Sequence, residues 1–205
     1  MRSIITISRE FGSGGREIGK KLAEDLGIDF YDKELLEIAS KESGITQELF
    51  VKHDETYTNS FLYSLVMGNY PVTPDGRINP EMPLNQKIFL AQFDTIRSLA
   101  EKGPCVIVGR CADFILKNKV KTLNVFIYSS NDKRRQTAMS EKHNIPADEV
   151  DQILKRYDKK RGDYYNANTN KKWGTKSSYD LCLDSGSLGY ELCADIIAHA
   201  VEASK

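Results

Sequence analysis

Ile4-Ile5-Thr6-Ile7-Ser8-Arg9-Glu10-Phe11-Gly12-Ser13-Gly14-Gly15-Arg16-Glu17-Ile18 decides the fold class. Ile4–Ile7 is a β-branched apolar run and reads as a buried strand. The glycines that follow form a loop. Ile18, Leu22 and Leu26 then recur every four residues, which marks one helix face. Strand, glycine loop and helix in that order aim backbone N–H groups at an anion. The helix N-terminus adds partial positive charge, and glycines allow close approach. A plain flexible turn is the bland alternative.

The same rhythm continues along the chain. Gly27 stops the first helix, and Ile28–Tyr31 reads as a short strand. Asp32 is placed to cap the next helix, in which Leu35, Leu36 and Ala39 face inward. A helix over about Asn85–Lys102 ends at Gly103-Pro104, and Cys105–Val108 is a third strand. A short helix follows through Leu116, then a strand over Leu123–Tyr128 and helices over about Asp132–His143 and Ala147–Tyr165. Tyr179–Leu183 makes a fifth strand. The last helix, Leu188–Ala203, carries Leu188, Leu192 and Ile196 on one face. Strands alternating with helices predict an α/β fold, a parallel sheet covered on both sides. Ligands in such sheets sit beyond the C-terminal strand ends.

One stretch, 44–84, breaks the rhythm and reads as an insertion. It holds Pro71, Pro74, Pro80 and Pro83, four of the six prolines, so loop rather than continuous helix is expected.

The glycine loop fits the P-loop pattern G-x-x-x-x-G-K-[ST] in two registers. One begins at Gly14 and supplies Gly19-Lys20, but one turn into the helix and without the hydroxyl. The other begins at Arg9, directly after the strand. Gly15 then stands in the lysine's place and Arg16 in that of the hydroxyl, with Glu17 one position further on. The second is favoured because the strand leads straight into it. Arg16 or Arg9 would then supply the missing charge, since arginine grips phosphate bidentately. A dinucleotide site is the competing reading: Gly12-x-Gly14-x-x-Glu17 lacks its third glycine, although Asp32 has about the ribose-binding spacing.

Other strand ends carry basic residues. Gly109-Arg110 follows the third strand, where an arginine suits a second phosphate. Lys133-Arg134-Arg135 and Lys155–Arg161 flank the helical hairpin, which can swing shut on a phosphate. Solvated helix faces are the plainer reading of each. Tyr164, Tyr165 and Trp173 suit packing better than base stacking, and the polar run Asn166–Lys172 reads as mobile.

These blocks together resemble the P-loop nucleoside monophosphate kinases, and among them the cytidylate kinase-like family. Phe30-Tyr31-Asp32-Lys33-Glu34-Leu35, Val106–Asp113 and Arg156–Tyr165 carry the resemblance with the opening stretch. It implies a three-layer P-loop NTPase fold with a five-stranded parallel sheet. Within a single domain over 1–205, it implies an NMP-binding insertion at 44–84 and a helical LID at 129–178. Gly12, Ser13, Gly14, Gly15, Arg16 and Glu17 would hold the phosphates of ATP, and Glu17 would be a candidate ligand of Mg2+. Arg110, Asp32 and Asp113 would serve the acceptor, and Arg16, Arg134, Arg156, Arg161 and Asp32 the transfer. The implied reaction is ATP-dependent phosphorylation of a nucleoside monophosphate, possibly CMP. A degenerate nucleotide-binding protein and a kinase of another small acceptor are the alternatives, because the lysine and hydroxyl are unmatched.

Composition narrows the partners. The chain has 205 residues, with 29 basic against 29 acidic side chains, so a bulk polyanion binder is not expected. Any anion site must be local. Small-molecule nucleotides rather than nucleic-acid polymers are the expected partners. No apolar run reaches the roughly 20 residues a membrane helix needs, and the four cysteines lack metal-site spacing. They read as reduced residues of a cytoplasmic protein.

Overall fold

In the computed structural model, residues 4–54, 65, 66, 68, 81–117, 119–132, 135, 136 and 146–203 are described. Five strands make one parallel sheet: β1 (Ile4–Arg9), β2 (Asp29–Tyr31), β3 (Cys105–Val108), β4 (Thr122–Tyr128) and β5 (Leu181–Asp184). Their spatial order is β2-β3-β1-β4-β5. The central strand β1 pairs with β3 from Ile4↔Cys105 and with β4 from Ile4↔Thr122.

The helices are α1 (Gly15–Leu26), α2 (Glu34–Ser43), α3 (Gln47–His53), α4 (Leu84–Lys102), α5 (Ala112–Ile115), α6 (Ala147–Thr169), α7 (Ser185–Leu188) and α8 (Tyr190–Ala203). Side-chain alternation along the strands feeds two cores. Ile5, Ile7, Val106, Val108, Val125 and Ile127 pack against Ile18 and Leu22 of α1 and Ile197 of α8. On the other face Ile4, Cys105, Ile107 and Phe126 pack with α2, α4 and the tyrosines of α6. Both faces of the sheet are covered, as all-parallel strands require.

The structure changes several expectations. Asp32 does not cap α2: Lys33 occupies that position, without a side-chain cap, and the Asp32 carboxylate binds Arg16 instead. The short helix after β3 does not follow the strand directly, and Arg110 sits in the turn between them. Gly109, Arg110 and Cys111 are all left-handed, with φ of 79°, 52° and 56°, and α5 begins only at Ala112. The last helix is broken at Gly189, which shifts the helical phase. Leu188 and Leu192 are therefore exposed, while Cys193, Ala194, Ile197 and Val201 are buried. The run Asn166–Lys172 is not a loose segment. α6 continues through Thr169, Asn168 and Thr169 are 1% exposed, and Asn166 Oδ1 accepts from the Trp173 N–H at 2.7 Å.

Most of the insertion and of the Asp132–His143 helix lies outside the described residues.

Candidate phosphate-transfer cleft

The β1–α1 connection runs from Glu10 to Gly14. Gly12 and Gly14 have φ of 81° and 78°. Gly14 is the N-cap of α1, and no side chain caps that helix. Its first-turn N–H groups, which have no intrahelical partners, are thus not claimed by a capping residue. A Cβ at Gly14 would lie 2.2 Å from the Tyr190 ring, so this loop is also packed tightly from behind. The Ser13 hydroxyl faces inward, donating to the carbonyls of Glu10 and Ile127 at 2.9 and 3.1 Å. The Ser13 backbone is engaged as well: its N–H reaches the Glu10 carbonyl at 3.4 Å, and its carbonyl accepts from Ser185 Oγ at 2.6 Å.

The two registers differ in where they fall on this geometry. Gly19 and Lys20 lie within α1, and Gly19 is buried against Ile7 and Phe30. Lys20 points into solvent and pairs with Glu24 on its own helix. The strand leads directly into Glu10–Gly14.

A cleft of about 830 Å³ opens above the loop. Gly12, Gly14, Gly15, Arg16 and Glu17 line it from one side, Asp32 and Lys33 from the end of β2, and Asp54 from the end of α3. Arg156, Lys160 and Arg161 line it from α6, and Arg9 and Arg110 from the ends of β1 and β3. Its lining holds seven basic side chains and four acidic ones, Glu10, Glu17, Asp32 and Asp54. The zero net charge of the chain therefore hides a local positive excess.

Asp32 lies between two arginines. Arg16 Nε approaches Asp32 Oδ2 at 2.7 Å, and Arg110 Nη1 lies 3.6 Å from Asp32 Oδ1. Arg16 also reaches Glu34 at 3.3 Å and lies over Phe30. Arg110 is 3% exposed. It donates from Nη1 to the Asp32 carbonyl at 2.8 Å, and from Nε and Nη2 to both oxygens of Asp54 at 3.0 and 2.9 Å.

Asp113 stands apart from this cleft. It lines a water-sized cavity beneath, of about 20 Å³, with Tyr165, Arg161 and Trp173. Its carboxylate accepts from Tyr165 Oη at 2.6 Å and faces Lys171 Nζ at 3.6 Å. Burial pushes the Asp113 carboxyl upward, against the opposing pull of Tyr165 and Lys171. Burial also raises the Tyr165 phenol strongly. Trp173 packs edge-on against Phe126 and donates to Ser8 Oγ, which is the packing role expected for it. Arg134 lies outside the described residues.

The sequence gives little hint of how α6 holds the loop. Phe11, at the loop's tip, stacks on Tyr157 with ring centroids 4.2 Å apart and packs against Val150 and Leu154. The Arg161 guanidinium also lies over the Phe11 ring, 5.3 Å from its centroid. The Phe11 N–H donates to Asp158 Oδ1 at 2.6 Å, and Arg135 donates to the Phe11 carbonyl and pairs with Asp158. Glu10 accepts from the Ser129 N–H, and its burial raises its carboxyl despite that bond and nearby Arg135.

The family model of the cytidylate kinase-like family matches residues 4–187. The chain belongs to that family. No curated protein matches the chain. Among solved structures, an uncharacterized protein from Eubacterium ventriosum is 29% identical with a TM-score of 0.71, covering 98% of this chain and 99% of that one. Shikimate kinase from Acinetobacter baumannii, in complex with shikimate, is 13% identical with a TM-score of 0.53, covering 100% of this chain and 95% of that one. The second likeness is one of fold. Family and fold support phosphoryl transfer as the class of chemistry in this cytidylate kinase-like chain.

A nucleoside triphosphate with magnesium fits the residues present. The uncapped α1 N-terminus and its left-handed glycines face a cleft with excess positive charge. Among the described residues no three His, Cys, Asp or Glu side chains form a metal site of their own. Magnesium beside phosphates needs only one or two carboxylates, which Glu17 and Asp32 offer at the cleft wall. Among the described residues no helix is long and apolar enough to cross a membrane.

Proposed function

We propose that the chain transfers the terminal phosphoryl group of ATP to a small acceptor, with a nucleoside monophosphate such as CMP as the first candidate. The observation that carries this reading is the single cleft joining an uncapped glycine-loop helix to the basic face of α6. ATP with magnesium supplies the phosphoryl group and part of the charge neutralisation on it. Phosphoryl transfer then needs from the protein alignment and positive charge rather than covalent chemistry.

The residues divide by position. The backbone of Gly12, Ser13, Gly14 and Gly15 and the first turn through Arg16 and Glu17 hold the triphosphate. Glu17 and Asp32 offer oxygen to the metal. Asp32 also orients the acceptor side through Arg16 and Arg110. Arg156 and Arg161 bring charge from α6, and Arg134 belongs to the same LID segment. Small-molecule nucleotides are the partners on this reading, and a cytoplasmic setting suits them.

A kinase of a different small acceptor is the second reading. It is favoured by one observation: Arg110 is enclosed by Asp54 and Asp32 rather than opened toward a monophosphate.

Coupled ADP release with magnesium, ATP and a panel of nucleoside monophosphates tests the proposal. Stimulation by CMP or another monophosphate supports the first reading. Stimulation only by a non-nucleotide acceptor supports the second. Saturable ATP binding without turnover on any acceptor would show a nucleotide-binding protein and overturn both.

A further inference from the structure

The position of the P-loop lysine is Gly15 in this chain, and the structure explains why a side chain is missing there. A Cβ built at Gly15 would lie 2.6 Å from Arg9 Cβ and 3.0 Å from Arg9 Cγ. Real Cβ atoms do not approach that closely, so the stem of Arg9 fills the room of a side chain at position 15. Arg9 is the last residue of the central strand and lines both the large cleft and the small cavity beneath it. Its carbonyl accepts from Arg161 Nη1 at 3.4 Å, which ties α6 to the same residue.

Arg16, the other candidate for the lost charge, is turned elsewhere. Its guanidinium binds Asp32 at 2.7 Å and Glu34 at 3.3 Å, so two carboxylates offset its charge. It also leans over Phe30, toward the β2 side of the cleft.

We propose that Arg9 supplies from the end of β1 the phosphate-binding charge that a lysine supplies from the helix start in the standard loop. This rests on the reading of the cleft as a nucleoside-triphosphate site. The exchange has a physical consequence. Arginine stays charged at every accessible pH and presents a planar fork to phosphate oxygens, whereas lysine is a compact point charge. The glycine at 15 and the arginine at 9 are then one unit: either residue changed alone leaves a clash or a lost charge.

Calorimetric titration with MgATP tests this on the full chain. Arg9→Gln keeps most of the stem and removes the charge, and it is expected to weaken MgATP binding at least tenfold. Gly15→Lys alone is expected to weaken it as much, because the new stem meets Arg9. The double variant Arg9→Gly with Gly15→Lys is expected to recover most of the lost affinity, which a merely structural Arg9 would not allow. Lys20→Ala is expected to bind MgATP as the parent does. Arg9→Gln binding MgATP as tightly as the parent, or Arg16→Gln losing more affinity than Arg9→Gln, overturns the inference and leaves the cleft reading standing. A parent protein that fails to bind MgATP overturns the cleft reading itself and the inference with it.

Discussion

Arg110 holds Asp54 by two parallel hydrogen bonds, Nε to Oδ1 at 3.0 Å and Nη2 to Oδ2 at 2.9 Å. The pair joins the turn after β3 to the end of α3, two points 56 residues apart in the chain. It also uses the bidentate geometry by which arginine takes a carboxylate or a phosphate. The turn that presents Arg110 is strained, with two consecutive non-glycine residues in the left-handed region. A carboxylate from the chain itself thus occupies a prepared anion grip.

Asp54→Ala is therefore expected to destabilise the protein. Breaking a fully buried ion pair costs about 3–5 kcal/mol, and the partial exposure of Asp54 brings this case below that range, to about 2–3 kcal/mol. For a chain of this size that lowers the melting temperature by roughly 5–10 °C. The vacated guanidinium should also take inorganic phosphate, so phosphate should raise the melting temperature of the variant more than that of the parent. Equal phosphate responses in scanning fluorimetry would count against an anion grip at Arg110.

Asp158 fastens α6 to the loop through the Phe11 N–H and Arg135. Hydrogen bonds to a charged group contribute about 1.5–3 kcal/mol. Asp158→Asn keeps an acceptor but removes the charge, so the Phe11 amide should exchange with solvent at least about tenfold faster. Tyr157→Ala removes the stacked ring and should have a smaller effect, since such pairs add about 0.5–1.5 kcal/mol. Amide exchange measured by mass spectrometry on the peptide spanning Phe11 decides this. Unchanged protection in Asp158→Asn would mean that the loop is held by packing alone.

Much of this arrangement was legible in the sequence, for reasons that are local. Cys105–Val108 was read at its true bounds because Pro104 and Gly109 bracket an apolar run. The strand-end rule points to Gly12, Gly14, Gly15, Arg16, Glu17, Asp32 and Arg110, and these line one cleft together with Arg156 and Arg161 of α6. Asp32 was misread as a cap because a carboxylate before a helix has two possible partners, and the nearby Arg16 competes for it. The face of the last helix was misread because one glycine, Gly189, resets its phase. Asp54 and Asp158 carried no signal at all. Their partners lie 56 and 147 residues away, and only the tertiary fold makes them neighbours.

Asp184 ends β5 and binds two elements at once. Its carboxylate accepts from the Gly186 and Ser187 N–H groups of α7 and from the Ser130 N–H after β4. Partial burial works against its charge, but these bonds with Ser130 and Ser187 hold the carboxyl down to about 2. A carboxyl depressed on folding contributes stability above its unfolded value, and that contribution is lost as pH falls through the folded value. Asp184→Asn is therefore expected to lower the urea midpoint by a constant amount at neutral pH. Parent and variant should converge between about pH 4 and about pH 2. A gap that stays constant down to pH 2 would assign the effect to packing rather than charge.

Gly14 meets two constraints that a pair of substitutions separates. Its φ of 78° strains any residue with a Cβ, and the Tyr190 ring occupies the place of that Cβ. The left-handed conformation alone costs a non-glycine residue about 1–2 kcal/mol. The overlap with Tyr190 adds to this, although a ring on a surface-facing helix start can shift partly aside. Gly14→Ala is thus expected to cost roughly 3 kcal/mol in all. Tyr190→Ala alone loses packing between α8 and the loop. Together the two should cost less than the sum by about 1 kcal/mol or more, since the steric part disappears and the backbone part remains. Urea denaturation of the parent, both single variants and the double variant gives the coupling directly. Strict additivity would mean that Tyr190 moves freely out of the way, and that the glycine is kept for its backbone conformation alone.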